Sequence, residues 1–219
     1  MSDGAPEPLT PEGFQRLSRV DDAAMARLRT YAQTLTDWNG RMNLVSPGSL
    51  ADLWRRHMLD SAQLAPLVPA AAKRLIDIGS GAGFPGLVLA ALLGPRVGLE
   101  TILVESIEKK CAFLRAAAEA RGIAAHVRVL RGRAEDGGVS RADVVTARAV
   151  APLETLLGYA VRLLRPGGIC LFPKGRTAAD ELTAARRSWT IDATAIPSQS
   201  DPAGSIVVVR SLAPKGRRP

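Results

Sequence analysis

The stretch Leu75-Ile76-Asp77-Ile78-Gly79-Ser80-Gly81-Ala82-Gly83-Phe84-Pro85-Gly86 runs an apolar segment into closely spaced glycines and then a helix start, with Pro85 suited to the first helical turn. Glycines at such a turn let the backbone bend sharply and let a ligand approach with no Cβ in the way. In an open parallel sheet that position, just past the carboxyl end of a strand, is where ligands collect. The residues from Gly81 to Gly86 also satisfy the G-x-G-x-x-G dinucleotide fingerprint, so spacing alone does not separate a nicotinamide cofactor from S-adenosylmethionine. Two features favour the second. Asp77 stands at the end of the strand, where a carboxylate accepts from a cationic amino group and repels a pyrophosphate. Gly79-Ser80 also intervene before Gly81, whereas the dinucleotide pattern leads straight from the strand into its first glycine.

Further along, Glu105 ends the next apolar run and suits a ribose diol under either cofactor reading. It equally suits a charge ahead of the helix that begins at Glu108. Arg148 follows the apolar run Asp143–Thr146 and reads as a contact to cofactor or RNA, or as a structural ion pair. Lys174, after Ile169–Phe172, reads as a phosphate contact or a solvated loop charge. His57 lies on the apolar face of its helix, as a satisfied core imidazole or as a catalyst. Arg56 and Asp60 are one helical turn apart, and such a pair is worth only about 0.3–0.5 kcal/mol when exposed. Asn43 suits a turn cap or a substrate contact. Cys111 and Cys170 have no Cys or His at metal-ligand spacing, so both are expected to be reduced core thiols and no metal site is expected.

These groups need elements to hold them. Short apolar strands at Arg74–Ile78, Thr101–Val104, His126–Leu130, Asp143–Thr146 and Ile169–Phe172 alternate with helical patterns at Pro85–Leu93, Glu108–Arg121, Leu153–Leu164 and Ala178–Arg187. That alternation predicts an α/β fold with a parallel sheet. Ile191–Ala195 and Ile206–Arg210 are separated by a loop too short for a crossover helix, which predicts an antiparallel hairpin at the sheet edge. Ahead of the sheet, residues 21 to 38 form an amphipathic pattern with Asn39-Gly40 as a stop, and Ser49 to Leu64 form a second. Trp38 and Trp54 fall in register with Leu35 and Leu53 as core anchors. The division is a helical cap over 1–70, a ligand-binding core over 71–212 and a basic tail over 213–219, with the first ten residues and the tail mobile.

A chain of 219 residues that is 47% hydrophobic can bury one substantial core. Its longest uncharged apolar stretch, Gly86 to Gly94, is far short of the roughly 20 residues a membrane span needs. Met1 to Leu9 lack the basic start and apolar centre of a secretory signal, so a cytoplasmic protein is expected. Lys and Arg number 29 against 21 Asp and Glu, a formal charge of +8 with clusters at Arg55-Arg56, at Arg131 and Arg133, and at Lys215 to Arg218. Such a field suits a polyanion, although it serves solubility as well.

The glycine loop fits the class I methyltransferase pattern, and the chain resembles the ribosomal RNA small subunit methyltransferase G family, also called glucose-inhibited division protein B. The resemblance spans roughly Tyr31 to Val209. It rests on Trp38-Asn39-Gly40-Arg41-Met42-Asn43-Leu44-Val45-Ser46, on Arg56-His57-Met58-Leu59-Asp60-Ser61, and on the Asp77 to Gly86 loop with its Phe84-Pro85-Gly86 ending. Val104-Glu105-Ser106, Lys109 to Arg115, Gly132-Arg133-Ala134-Glu135, Val145-Thr146-Ala147-Arg148-Ala149 and Pro173-Lys174-Gly175 complete it.

The resemblance implies a class I, Rossmann-like fold: a mostly parallel seven-stranded sheet with helices on both faces, an antiparallel C-terminal hairpin and the N-terminal helical cap. It implies methylation of N7 of one guanine in the 530 loop of 16S ribosomal RNA, on the RNA or the small ribosomal subunit, with S-adenosyl-L-methionine as cofactor and the protein acting as a monomer. The cofactor-binding candidates are Asp77, Gly79, Gly81, Gly83, Phe84, Glu105, Ala134, Glu135 and Arg148. Asn43, Arg56, His57 and Lys174 are the substrate-binding candidates. Thr177 to Ser205 match nothing specific and are assigned no function.

Guanine N7 carries a free lone pair, so methyl transfer to it is an in-line displacement that needs alignment rather than a general base. No catalytic acid or base is assigned. The target base must be accessible or flipped, with flanking phosphates held by Arg and Lys and binding that weakens with salt. Two rivals fit parts of the pattern: a non-enzymatic RNA-binding protein on the same fold, and an NAD(P)-dependent oxidoreductase.

Overall fold

Thr10 and Asp21 each accept a hydrogen bond from a backbone N–H three residues on, Gly13 at 3.0 Å and Ala24 at 2.7 Å. These caps start α1 (Pro11–Ser18) and α2 (Asp22–Met42) in a computed structural model that describes residues 7–119, 122–136 and 140–216. Helix α1 has no counterpart in the sequence reading, because it is short and half its apolar surface, at Leu17, faces solvent. Helix α2 runs through the expected stop at Asn39-Gly40. One glycine costs a helix only about 1 kcal/mol, and Trp38 and Met42 on either side of it pack against the core.

The second cap helix, expected unbroken over 49–64, is divided. A turn α3 (Pro47–Ala51) leads to a π-helical stretch (Trp54–Leu59), which closes in the single turn α4 (Asp60–Ala62). Leu53, Met58 and Leu59 are buried along this path. Phe14, Leu28, Tyr31, Leu35 and Met58 of the cap share one cluster with Leu87, Phe113 and Leu114, so the cap and one face of the sheet domain have a common core.

Seven strands follow: β1 (Arg74–Ile78), β2 (Glu100–Glu105), β3 (Val127–Arg131), β4 (Ala142–Ala147), β5 (Leu164–Lys174), β6 (Trp189–Pro197) and β7 (Ser205–Pro214). They lie in the order β3-β2-β1-β4-β5-β7-β6. The first five pair in parallel, and β7 runs antiparallel to both β5 and β6. This is the mostly parallel sheet with a terminal hairpin that the sequence predicted. Helices α5 (Gly86–Val97), α6 (Glu108–Glu119), α7 (Leu153–Leu163) and α8 (Ala178–Ser188) connect the strands. Leu75, Ile76, Ile102, Leu103, Val144 and Val145 are fully or almost fully buried, as strands covered on both faces must be. The expected end of α6 at Arg121 lies outside the described residues.

Residues 1–6 and 217–219 of the ends expected to be mobile also lie outside the described residues. The described parts are tied down. The Leu9 N–H donates to Asp52 Oδ1 at 2.9 Å, Ala213 and Pro214 complete β7, and the Lys215 N–H donates to the Ser188 carbonyl at 2.8 Å.

The buried Tyr31 hydroxyl donates to the Ala82 carbonyl, joining α2 of the cap to the glycine loop. Tyr31→Phe keeps the ring and strands that buried carbonyl. Urea unfolding is expected to show a loss of about 1–3 kcal/mol, and an unchanged midpoint would mean that the tether is not part of the fold's stability.

Candidate cofactor and substrate site

Parallel pairing puts the carboxyl ends of β1, β2 and β4 on one edge, and the loop 79–85 leaves β1 there. Gly79 has φ +62°, and a Cβ on it would lie 2.7 Å from Val150 Cγ2. Gly83 has φ +91°, and its missing Cβ would meet Leu87 and the Tyr31 hydroxyl. Only glycine lets the loop lie this close to both neighbours. The Ser80 N–H donates to the Val104 carbonyl at 3.0 Å, and the Gly81 N–H donates to Glu105 Oε2 at 2.9 Å. Glu105 Oε1 accepts from the Ile107 N–H at 2.9 Å, so one carboxylate ties the glycine loop to the start of α6.

Asp77 is fully buried beneath this loop. Its Oδ1 accepts from the Thr146 hydroxyl at 2.8 Å, and its Oδ2 has no partner among the described residues. Burial raises the carboxyl to about 6, with the Thr146 hydroxyl pulling the other way.

Phe84 collects the cap onto the loop. Its ring stacks on His57 at 4.8 Å and 15°, meets Tyr31 at 5.3 Å, and lies 5.0 Å from the Arg148 guanidinium carbon. Arg148 donates from Nη1 to Asp60 Oδ2 at 3.1 Å and to the Arg56 carbonyl at 3.0 Å, and its Nη2 lies 2.8 Å from His57 Nδ1. A guanidinium only donates, so His57 Nδ1 is the acceptor and Nε2 carries the imidazole proton. His57 is held low, at about 3, first by burial and then by the charges of Arg148 and Arg56. The Arg56 carbonyl lies in the π-helical turn, where the Asp60 N–H reaches the Arg55 and His57 carbonyls.

Two cavities meet at Arg148. The smaller, about 380 Å³, lies over the glycine loop and is lined by Gly79, Gly81, Phe84, His57, Lys110 and Arg148, with Leu44 to Ser46 at one side. The larger, about 1290 Å³, opens between the cap and the hairpin and is lined by Arg55, Arg56, Asp60, Lys174, Glu181 and the loop from Ser198 to Gly204. Arg148 and Ala149 line both.

The profile of the rRNA small subunit methyltransferase G family matches residues 24–206. A ribosomal RNA small subunit methyltransferase G from Parvibaculum lavamentivorans is 51% identical over 209 residues, covering 95% of this chain and 92% of its own. One from Paramagnetospirillum magneticum is 50% identical over 209 residues, covering 95% and 98%. The chain belongs to this family. Among solved structures, an O-methyltransferase from Bacillus cereus in complex with SAH superposes with a TM-score of 0.59 at 15% identity, covering 94% of this chain and 98% of that one. The O-methyltransferase TomG from Streptomyces achromogenes in complex with SAM also superposes with a TM-score of 0.59, at 16% identity, covering 96% and 100%. At such identities the likeness shows the fold alone, the class I methyltransferase sheet.

In this member of the methyltransferase G family, the small cavity brings together Gly79, Gly81, Phe84 and Arg148 of the cofactor candidates and His57 of the substrate candidates. Asp77 lies beneath the loop, Gly83 is the loop residue packed against Leu87 and Tyr31, and Glu105 is engaged by two backbone N–H groups behind it. Ala134 is buried and Glu135 faces an ion pair with Arg133 at 3.8 Å, neither lining the cavity. Arg56 and Lys174 line the large cavity, where Lys174 pairs with Glu181 at 2.7 Å. Asn43 ends α2 with φ +23°, exposed and outside both cavities. The pair expected between Arg56 and Asp60 is not made; Asp60 pairs with Arg148, whose half-buried position offers a drier contact than the exposed Arg56. Sequence reasoning missed Lys110, which reads as a solvated helix charge and lines the small cavity. Among the described residues no group of His, Cys, Asp or Glu is arranged to hold a metal, and no helix is long and apolar enough to cross a membrane.

Asp77 carries a signature in the pH dependence of stability. The folded carboxyl keeps its proton up to about 6, whereas the unfolded one releases it near 3.8. Between those values the unfolded chain binds fewer protons, so stability falls as pH rises, by about 3 kcal/mol in all. His57 acts with the opposite sign, because its folded form resists protonation, so its contribution is lost as pH falls from 6.5 towards 3. Asp77→Asn removes only the first effect. The difference in unfolding free energy, variant minus parent, is expected to rise from pH 4 to pH 6 and to stay flat above; a difference independent of pH would refute the buried ionisation.

Proposed function

We propose that this protein transfers the methyl group of S-adenosylmethionine to N7 of a guanine in the 530 loop of 16S ribosomal RNA, as a cytoplasmic monomer acting on the RNA or the small subunit. Membership of the methyltransferase G family supports the reaction, and one observation carries its assignment to this site: the cofactor-sized cavity and the larger cavity between cap and hairpin meet at Arg148. Bound S-adenosylmethionine supplies a methyl group activated by its sulfonium.

The small cavity suits that ligand. Gly79 and Gly81 present backbone without a side chain, Phe84 an apolar surface, and Lys110 a cation suited to a carboxylate, while Arg148 is engaged by Asp60. The larger cavity exceeds the usual volume of a small-molecule site and suits an unstacked nucleotide with its neighbours. The exposed Arg56 in its wall suits a flanking phosphate, whereas Arg55 and Lys174 are paired with Asp52 and Glu181.

The side chains present fit alignment chemistry. No carboxylate among the described residues lines the small cavity, and the histidine that does has its acceptor nitrogen occupied by Arg148. Guanine N7 needs no base, which is consistent with this lining. Arg148 fixes the edge of the shared opening through bonds to Asp60, the Arg56 carbonyl and His57, and its guanidinium carbon lies over the Phe84 ring.

Incubation with labelled S-adenosylmethionine and unmodified small-subunit RNA, followed by mapping of the modified nucleotide, tests the reading. Label at N7 of a guanine in the 530 loop is expected, and label elsewhere or none would overturn it. Arg148→Lys keeps the charge and loses the fork that reaches three partners at once. It is expected to lower the rate about a hundredfold, while a rate near that of the parent protein would remove Arg148 from the reaction.

A further inference from the structure

Asp60 stands where the two cavities, the cap and the C-terminal hairpin come together. Its Oδ2 accepts from Arg148 at 3.1 Å, and its Oδ1 accepts from the Ser200 hydroxyl at 2.8 Å and from Gln63 Nε2 at 3.2 Å. Gln63 in turn donates to Ser198 Oγ at 3.0 Å and accepts from the Gln199 N–H at 2.7 Å. The segment 198–204 thus holds a carboxylate of the cap, and that carboxylate holds the arginine between the cavities. We infer that Asp60 is a positioning residue for methyl transfer, fixing Arg148 at the shared wall and cancelling its charge there, with the β6–β7 loop as its support.

This inference rests on the proposed reaction at that site. Methyl transfer starts from a cationic sulfonium and ends with a cationic N7-methylguanine, so positive charge lies near the shared wall throughout. An unanswered guanidinium at that wall opposes both the donor and the developing charge on the base. Asp60 removes the opposition, and both side chains of the pair are only 18% exposed, so solvent screens it weakly. The geometry adds a second role. With one oxygen on Arg148 and the other on the hairpin loop, the carboxylate has no freedom to rotate. Arg148 then keeps its Nη2 on His57 Nδ1 and its guanidinium over Phe84. The loop from Ser198 to Gly204, to which the sequence assigns nothing, becomes part of the site because it lines the large cavity and orients Asp60.

The test uses the full-length protein with Asp60→Asn and Ser200→Ala. Asp60→Asn is expected to lower kcat for small-subunit RNA about tenfold without raising KM, because the added positive charge does not weaken phosphate binding. Ser200→Ala, which leaves both charges in place and loosens Asp60, is expected to lower kcat about threefold with the same KM. A second readout follows the imidazole of His57 by nitrogen NMR, which is tractable because the chain has 2 histidines. In the parent protein Nδ1 is hydrogen-bonded and Nε2 protonated. In Asp60→Asn the Nδ1 resonance is expected to move toward that of an unbonded acceptor as Arg148 swings away.

A folded Asp60→Asn protein with parent kcat and an unmoved His57 resonance would overturn the inference. A rise in KM with kcat unchanged would also overturn it, making Asp60 an RNA contact. If Asp60→Asn does not fold, Ser200→Ala decides on the same two measurements. Should the parent protein itself methylate no small-subunit RNA, the proposed reaction fails, while the His57 signal still reports whether Asp60 holds Arg148.

Discussion

A guanidinium left only 18% exposed has to find hydrogen-bond acceptors and a counter-charge inside the protein, because an uncompensated buried cation costs more than most side chains contribute. Arg148 follows β4 on the ligand-binding edge of the sheet, and its own strand supplies none of these partners. All of them come from the cap: the Asp60 carboxylate, the Arg56 carbonyl and His57 Nδ1. The cap is therefore fixed over the sheet edge by the need to satisfy one residue of the core. Phe84 adds a face for the same guanidinium to lie against, so the glycine loop is fixed by it too.

That requirement explains why the cap helix is not a regular one. In an α-helix the Asp60 N–H would bond to the Arg56 carbonyl, four residues back, and share it with the guanidinium. In the π-helical turn the Asp60 N–H bonds to the Arg55 and His57 carbonyls, and the Arg56 carbonyl accepts from Arg148. The same widening brings the side chains of His57 and Asp60 to one guanidinium although they differ in length and chemistry. The Ser61 hydroxyl takes up the His57 carbonyl at 2.7 Å, so the irregular turn leaves that group satisfied. A local irregularity that weakens a helix in isolation is here set by contacts across the fold.

The sheet was legible because its strands are buried on both faces and read as continuous apolar runs, with glycine, proline or charge between them. The glycine loop was legible because φ above zero and close approach to Val150 and Tyr31 leave almost no alternative residue. The partners of Arg148 were not. Asp60 lies 88 residues away in sequence, and its local spacing suggested Arg56, which stands exposed instead. The divided cap helix was hidden because a π-helical turn keeps apolar residues near helical spacing while changing which carbonyls are free. The loop from Ser198 to Gly204 carries small polar residues with no period, and only its contacts with Gln63 and Asp60 reveal a place in the site.

A small cavity lined by no carboxylate among the described residues and the pairing of Arg148 with Asp60 belong to one design. A reaction whose nucleophile already carries its lone pair gains nothing from a base, and a histidine able to charge near neutral pH would add a third cation beside a cationic donor. Burial and the guanidinium hold His57 far below that range, so the imidazole acts as an acceptor for Arg148 and a flat partner for Phe84. Asp60 answers the remaining charge. What is left at the meeting of the two cavities is a rigid, nearly neutral wall, and rigidity is the property an in-line displacement needs, since its rate depends on distance and angle more than on any proton.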